Sequence, residues 1–345
     1  MATGRAISEE FLLDFCDTGD LSCIVEYIKE HTELNFCFRG NDGNKHGHIV
    51  IYKNNHMVVR ISKYVKKNHP KFKMDFDFNH ARYSKEWKSY LKSLNEIGWC
   101  FKFADESLAE IGIGEIHYKI KDVDSDKIKQ SLDIFCKLID DFFDLNLDYD
   151  YFKKIGNVSK DDMREKKAQH ELHAMKVITA SKAEYLVYDL EFTEKEKKKG
   201  NKPDFFALKS INGIVDGLVI GEVKSKKGAF NGESGLIKHL DGMCNQMETF
   251  NKNDERILEA SKILSDYAKL NLKGLANEDI KKFTDENFLK AKFVEIAVVL
   301  TDDAIKAYDN KSGRGKPTYR SIFNDKYKDK SVVVKKFENG KFEDI

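Results

Sequence analysis

Two short stretches hold the residues best suited to chemistry: Lys202-Pro203-Asp204 and, after seventeen further residues, Glu222-Val223-Lys224. Residues 204–209 and 217–224 read as strands joined through Asn212-Gly213, a pair that favours a tight hairpin turn. Glu222 and Lys224 are two apart on a strand and so point to one face. Val223 points the other way, into the core implied by Leu218-Val219-Ile220. Two carboxylates beside a lysine can hold a hard divalent cation, Mg²⁺ with Mn²⁺ able to substitute. Such a cation makes a bound water more acidic and neutralises charge on a phosphate.

The elements that would position these groups follow in a definite order. The spacing predicts a helix over 160–180, a strand over 184–192 and the two strands already named. A helix over 236–250, further helical sequence to about 290 and an apolar strand over 293–300 come next. Without the helical insert, the order is α-β-β-β-α-β. The first half reads as a smaller α+β unit. It has two short helices within 7–29, strands over 34–39, 48–52, 56–61 and 116–120, and helices over 84–97 and 125–145. The expected organisation is an α+β N-terminal domain over 1–150 and a second domain over 151–345. The overall class is mixed α/β.

At this point the sequence resembles the PD-(D/E)XK nuclease superfamily, whose restriction-endonuclease-like core has the same αβββαβ order. Pro203-Asp204 and Glu222-Val223-Lys224 match its signature residue by residue, and the resemblance covers about 160–300. It implies that Asp204 and Glu222 ligate the metal, with the main-chain carbonyl of Val223 as a third ligand. It gives Lys224 the task of positioning or deprotonating water and stabilising phosphate charge. Many members also bring an acid from the preceding helix to the metal. Here Glu171 is the candidate, on a stripe with Ala168, Ala174, Met175 and Ile178. A solvent-facing edge of that stripe is the other reading. Glu165, beside Lys166 and Lys167, is the weaker choice.

The next helix offers further groups. Ser234 is placed to cap it, and a helix N-terminus flanked by glycine can hold a phosphate. His239, Met243, Gln246 and Phe250 share one face. Gln246 with Phe250 resembles the Gln-x-x-x-Tyr element of RecB-like nucleases, with Phe in place of Tyr and so without its hydroxyl. That resemblance makes Gln246 a site residue, and His239 can meet a phosphate or a water. Lys195, Lys197, Lys198, Lys199 and Lys202 precede Asp204, and Lys226 and Lys227 follow Lys224. Such segments suit contact with a phosphate backbone without base reading.

Composition bounds the remaining classes. The 345 residues carry 59 Lys and Arg against 58 Asp and Glu, so any basic surface is local. Only 3 prolines and a mean hydropathy of −0.56 argue against a Pro-rich disordered chain and against a membrane protein. The six cysteines form no CxxC pair, which argues against a disulfide framework or structural zinc. The expectation is a cytoplasmic, metal-dependent nuclease acting on DNA rather than RNA, of a build that suits restriction or antiviral defence. Its N-terminal domain would serve sensing, substrate binding or oligomerisation, as a homodimer or with a partner protein. The rival readings are a nuclease-like module that binds without cutting, and an N-terminal active site around His46, His48 and His56.

Overall fold

The computed structural model describes residues 5–40, 45–53, 56–64, 71–76, 88–101, 116–120, 123–142, 160–174, 177–179, 183–190, 203–225, 230, 235–310, 317–338 and 341–345. The chain has a mixed α/β fold and divides into two compact units, Met1–Ser159 and Lys160–Ile345. Among the described residues, no helix is long and apolar enough to cross a membrane.

The N-terminal unit carries an antiparallel sheet in the order β1-β2-β3-β4-β6-β5. Its strands are β1 (Leu34–Arg39), β2 (His48–Lys53), β3 (His56–Lys63), β4 (Phe72–Phe76), β5 (Cys100–Phe101) and β6 (Ile116–Ile120). The helices are α1 (Glu9–Leu13), α2 (Ser22–Glu30), α3 (Lys88–Glu96) and α4 (Ser125–Phe142). On α4, Ile128, Leu132, Phe135 and Ile139 recur at helical spacing and are buried, which is why this segment folds as an amphipathic helix. Trp99 packs edge-on to Phe135 and donates its indole N–H to Ser131 at 2.8 Å.

The C-terminal unit is a curled sheet in the order β10-β11-β12-β13-β7-β8-β9. It opens with α5 (Lys160–Ala174), then β7 (Val177–Thr179), β8 (Ala183–Leu190), β9 (Phe205–Ile211) and β10 (Ile214–Lys224). Next come α6 (Leu236–Phe250) and the helical insert of α7 (Glu255–Lys269), α8 (Ile280–Thr284) and α9 (Glu286–Leu289). The chain then forms β11 (Phe293–Leu300), α10 (Asp302–Tyr308), α11 (Tyr319–Tyr327), β12 (Val332–Glu338) and β13 (Lys341–Asp344). β10 pairs antiparallel with β9 and parallel with β11, and β11 is parallel to β12.

One face of this sheet forms a core of Tyr185, Val187, Phe205, Ala207, Val219, Val223, Ala297 and Val299 under Ala168 and Leu172 of α5. α6 packs on β10 and β11. The Asn251 side chain donates to the Phe293 carbonyl at 2.9 Å and accepts from its N–H at 2.6 Å, tying the end of α6 to the start of β11.

Among the departures from expectation, three lie in the C-terminal unit. The helix expected over 160–180 ends at Ala174, and 177–179 is a strand that joins β13 to β8. Strands β12 and β13 extend the sheet beyond the αβββαβ order read from the sequence. The cap of α6 is Gly235, with no side-chain hydrogen bond, and not Ser234.

Candidate functional site

The β9–β10 hairpin builds the site. Asn212 and Gly213 lie at φ 53° and 79°, the left-handed values that a two-residue hairpin turn demands. A regular ladder from that turn would set Glu222 beside Pro203. Asp216 is left out of the ladder, and beyond it Gly217 pairs with Lys209 and Gly221 with Phe205. This bulge advances the register by one residue, so Asp204 comes beside Glu222 instead. Asp216 is held by the Lys209 ammonium at 3.1 Å. The Asp204 N–H donates to the Gly221 carbonyl at 2.9 Å, and the Val223 N–H donates to Asp204 Oδ2 at 2.7 Å. Gly221 is required by its neighbour, because a Cβ there would lie 2.0 Å from the Phe205 ring.

Lys224 ends β10 with its side chain 8% exposed. Its Nζ is 2.7 Å from Glu222 Oε1, 3.1 Å from Glu165 Oε1 and 3.9 Å from Asp204 Oδ2. Glu165 arrives because it lies three and seven residues before Ala168 and Leu172, the positions of α5 that enter the core. From α6, His239 Nδ1 is 2.9 Å from Glu222 Oε1. The Glu222 carboxylate accepts, so Nδ1 carries the proton in this contact.

Burial sets the electrostatics. It pushes the Asp204 carboxyl well above the usual aspartate range, and the charge of Glu222 adds to the shift. Burial acts on Glu222 in the same sense, but the Lys224 ammonium and His239 outweigh it and hold this carboxyl below its usual range. Burial disfavours the charge of Lys224, yet Glu222, Asp204 and Glu165 together raise its pKa well above the ordinary lysine value.

These groups have capacity left for a cation. Glu222 Oε2 is buried and has no hydrogen-bond partner among the described residues. The contacts of Asp204 with Val223 and Lys224 both fall on Oδ2. The donor set is all carboxylate oxygen apart from His239, which suits Mg²⁺ or Mn²⁺. No group of three or more His, Cys, Asp or Glu among the described residues is gathered as a ready-made metal cage. The Lys224 ammonium stands among the acids instead.

Asp204, Glu222, Lys224 and His239 are thus brought together. Glu171 is not: its side chain is 43% exposed and its oxygen is 3.7 Å from Lys167, one turn back. The stripe that singles it out needs Ile178 on the helix, and Ile178 lies in β7. Met175 lies outside the described residues. The stripe from Glu165 through Ala168 to Leu172 is the one that faces the core and brings Glu165 to Lys224. Val223 buries its side chain in the core and offers its N–H to Asp204. Gln246 is half-buried on α6, two turns after His239. Phe250 is packed against Phe206 and Phe293 with ring centroids 6.1 and 5.3 Å away, so this position is core.

Lys195, Lys197, Lys198, Lys199, Lys202, Lys226, Lys227 and Ser234 lie outside the described residues. In the N-terminal unit, His46 Nδ1 is 2.8 Å from Ser8 Oγ, at the cap of α1. His48 and His56 stand at opposite ends of the β2–β3 ladder, paired with Ser62 and Lys53, so the hairpin does not gather them.

The chain matches no family model, and no curated protein or solved structure is significantly similar to it.

Proposed function

We propose that the C-terminal unit is a metal-dependent nuclease of the PD-(D/E)XK type that hydrolyses phosphodiester bonds in DNA. One observation carries the reading. A lysine ammonium is held among three carboxylates at the carboxyl end of β10, while one oxygen of the most buried of them, Glu222, has no partner among the described residues. An unsatisfied buried acceptor costs about 1–3 kcal/mol, which a divalent cation on Asp204, Glu222 and Glu165 would relieve. Mg²⁺ or Mn²⁺, when bound, supplies Lewis acidity to the phosphate and to water.

The chain's own residues do the rest. The Val223 amide and the Asp204–Gly221 hydrogen bond hold Asp204 in place beside Glu222. In the metal-free site the surrounding carboxylates favour the protonated form of Lys224. In that form it can donate to water or to a phosphate oxygen as negative charge develops. The lysines before Asp204 and after Lys224 in the sequence suit the substrate backbone. The N-terminal unit is left for sensing, substrate binding or oligomerisation. A cytoplasmic role in restriction or antiviral defence fits this build.

The test is incubation of the purified chain with duplex and single-stranded DNA and with RNA, in Mg²⁺ and in EDTA. Mg²⁺-dependent DNA cleavage supports the proposal. Nucleic-acid binding with no cleavage in Mg²⁺ or Mn²⁺ would favour a nuclease-like binding module instead.

A further inference from the structure

The two oxygens of Glu222 have unequal surroundings. Oε1 accepts from Lys224 Nζ at 2.7 Å and from His239 Nδ1 at 2.9 Å, whereas the buried Oε2 has no partner among the described residues. The Lys224 ammonium makes its shortest contact with Oε1 but also reaches Glu165 at 3.1 Å and Asp204 at 3.9 Å, so it has other carboxylates to turn to. His239 is placed by a braced helix. Two residues before it, the Ile237 carbonyl accepts from Tyr327 Oη at 2.8 Å. Two residues after it, Asp241 accepts from Lys326 Nζ at 2.7 Å. Asn251 pins the far end of the same helix to β11.

We propose that His239 is a positioning residue that occupies Glu222 Oε1, leaves only Oε2 to a cation, and so makes the centre select small octahedral ions over Ca²⁺. The proposal rests on the metal-dependent reading of this site. Its physical basis is the difference between the ions. Mg²⁺ and Mn²⁺ suit six ligands, commonly one oxygen from each carboxylate. Ca²⁺ takes six to eight ligands at longer distances and readily accepts both oxygens of one carboxylate. Without His239, Oε1 is held only by the Lys224 ammonium, which can turn to Glu165 or Asp204 and let the carboxylate offer both oxygens. Groups that orient a ligand typically change metal affinity by about 10–100-fold when removed.

The experiment is calorimetric titration of the full chain with Mn²⁺ and with Ca²⁺, for wild type, His239→Ala, His239→Phe and His239→Asn. Thermal melts establish that each variant is folded. Ala and Phe lack the donor at different sizes, so one of them serves if the other fails to fold, and Asn restores an N–H near the position of Nδ1. The expected result is that the ratio of Mn²⁺ to Ca²⁺ affinity falls by about tenfold or more in the donorless variants, mainly because Ca²⁺ gains, and largely recovers in His239→Asn. An unchanged ratio, with Mn²⁺ binding still abolished by Asp204→Asn, would overturn the role of His239 and leave the proposed function standing. A wild-type chain that binds neither ion would overturn both.

Discussion

At the scale of single residues, the metal-free site holds more negative charge than its burial favours, and Lys224 is what compensates it. Lys224→Met keeps most of the stem and removes the ammonium from Glu165, Glu222 and Asp204. Leaving buried carboxylates without their partner costs about 3–5 kcal/mol. A lower melting temperature in EDTA is therefore expected, with a larger recovery on adding Mn²⁺ than wild type shows, because the competing ammonium is gone. Equal Mn²⁺ recovery in the two proteins would contradict the competition. Asp204 gives a pH signature. Its folded carboxyl binds a proton more tightly than an unfolded aspartate does, so its charge penalises the fold above that raised pKa. Asp204→Asn keeps an acceptor for the Val223 amide and removes the penalty. In EDTA the variant should be more stable than wild type at neutral pH. The advantage should shrink as pH falls through the raised value and vanish below the ordinary aspartate range. A pH-independent difference between their melting temperatures would refute this account of Asp204.

At the scale of elements, the site depends on where β10 lies against β9. The Phe205 ring fills the space over Gly221, so Gly221→Ala must push the strands apart one residue before Glu222. Overpacking of this kind costs about 1–3 kcal/mol. The loss should be largely recovered in the double variant with Phe205→Leu, which frees that space, and a double-mutant cycle of denaturation free energies checks it. Additive losses would mean that the ring does not set the strand position. The hairpin, its turn and the pair Asp204 and Glu222 were legible because strand period, the Asn-Gly turn and buried runs agree. The bulge at Asp216 was not, since no local signal marks it; it is stabilised by Lys209 from the facing strand. Strand β12 was missed for a related reason. Its Lys335 looks solvent-facing, yet it is 2% exposed, 3.8 Å from Glu295 and stacked over Tyr185. Glu165 is masked in the sequence by Lys166 and Lys167, which read as a solvated turn, while the stripe that favours Glu171 needs Ile178, a residue of β7.

At the scale of the whole molecule, 59 basic and 58 acidic residues leave almost no net charge to draw the chain to a nucleic acid. On the proposed reading, attraction comes from local clusters, and the lysines at 195, 197, 198 and 199 are the densest one near Asp204 in sequence. Replacing all four with Gln should weaken DNA binding and reduce the slope of log affinity against log salt by up to about 3–4, near 0.9 per lost phosphate contact. An unaltered slope would remove this segment from the interface. On the proposed function, Asp204, Glu222 and Lys224 form the hydrolytic centre of a metal-dependent nuclease. The most direct test is single-turnover DNA cleavage in Mn²⁺ by wild type beside folded Asp204→Asn and Glu222→Gln. Wild type is expected to cleave in a Mn²⁺-dependent way, with a loss of at least about 10²-fold in both variants. Cleavage at the wild-type rate in either variant would contradict it.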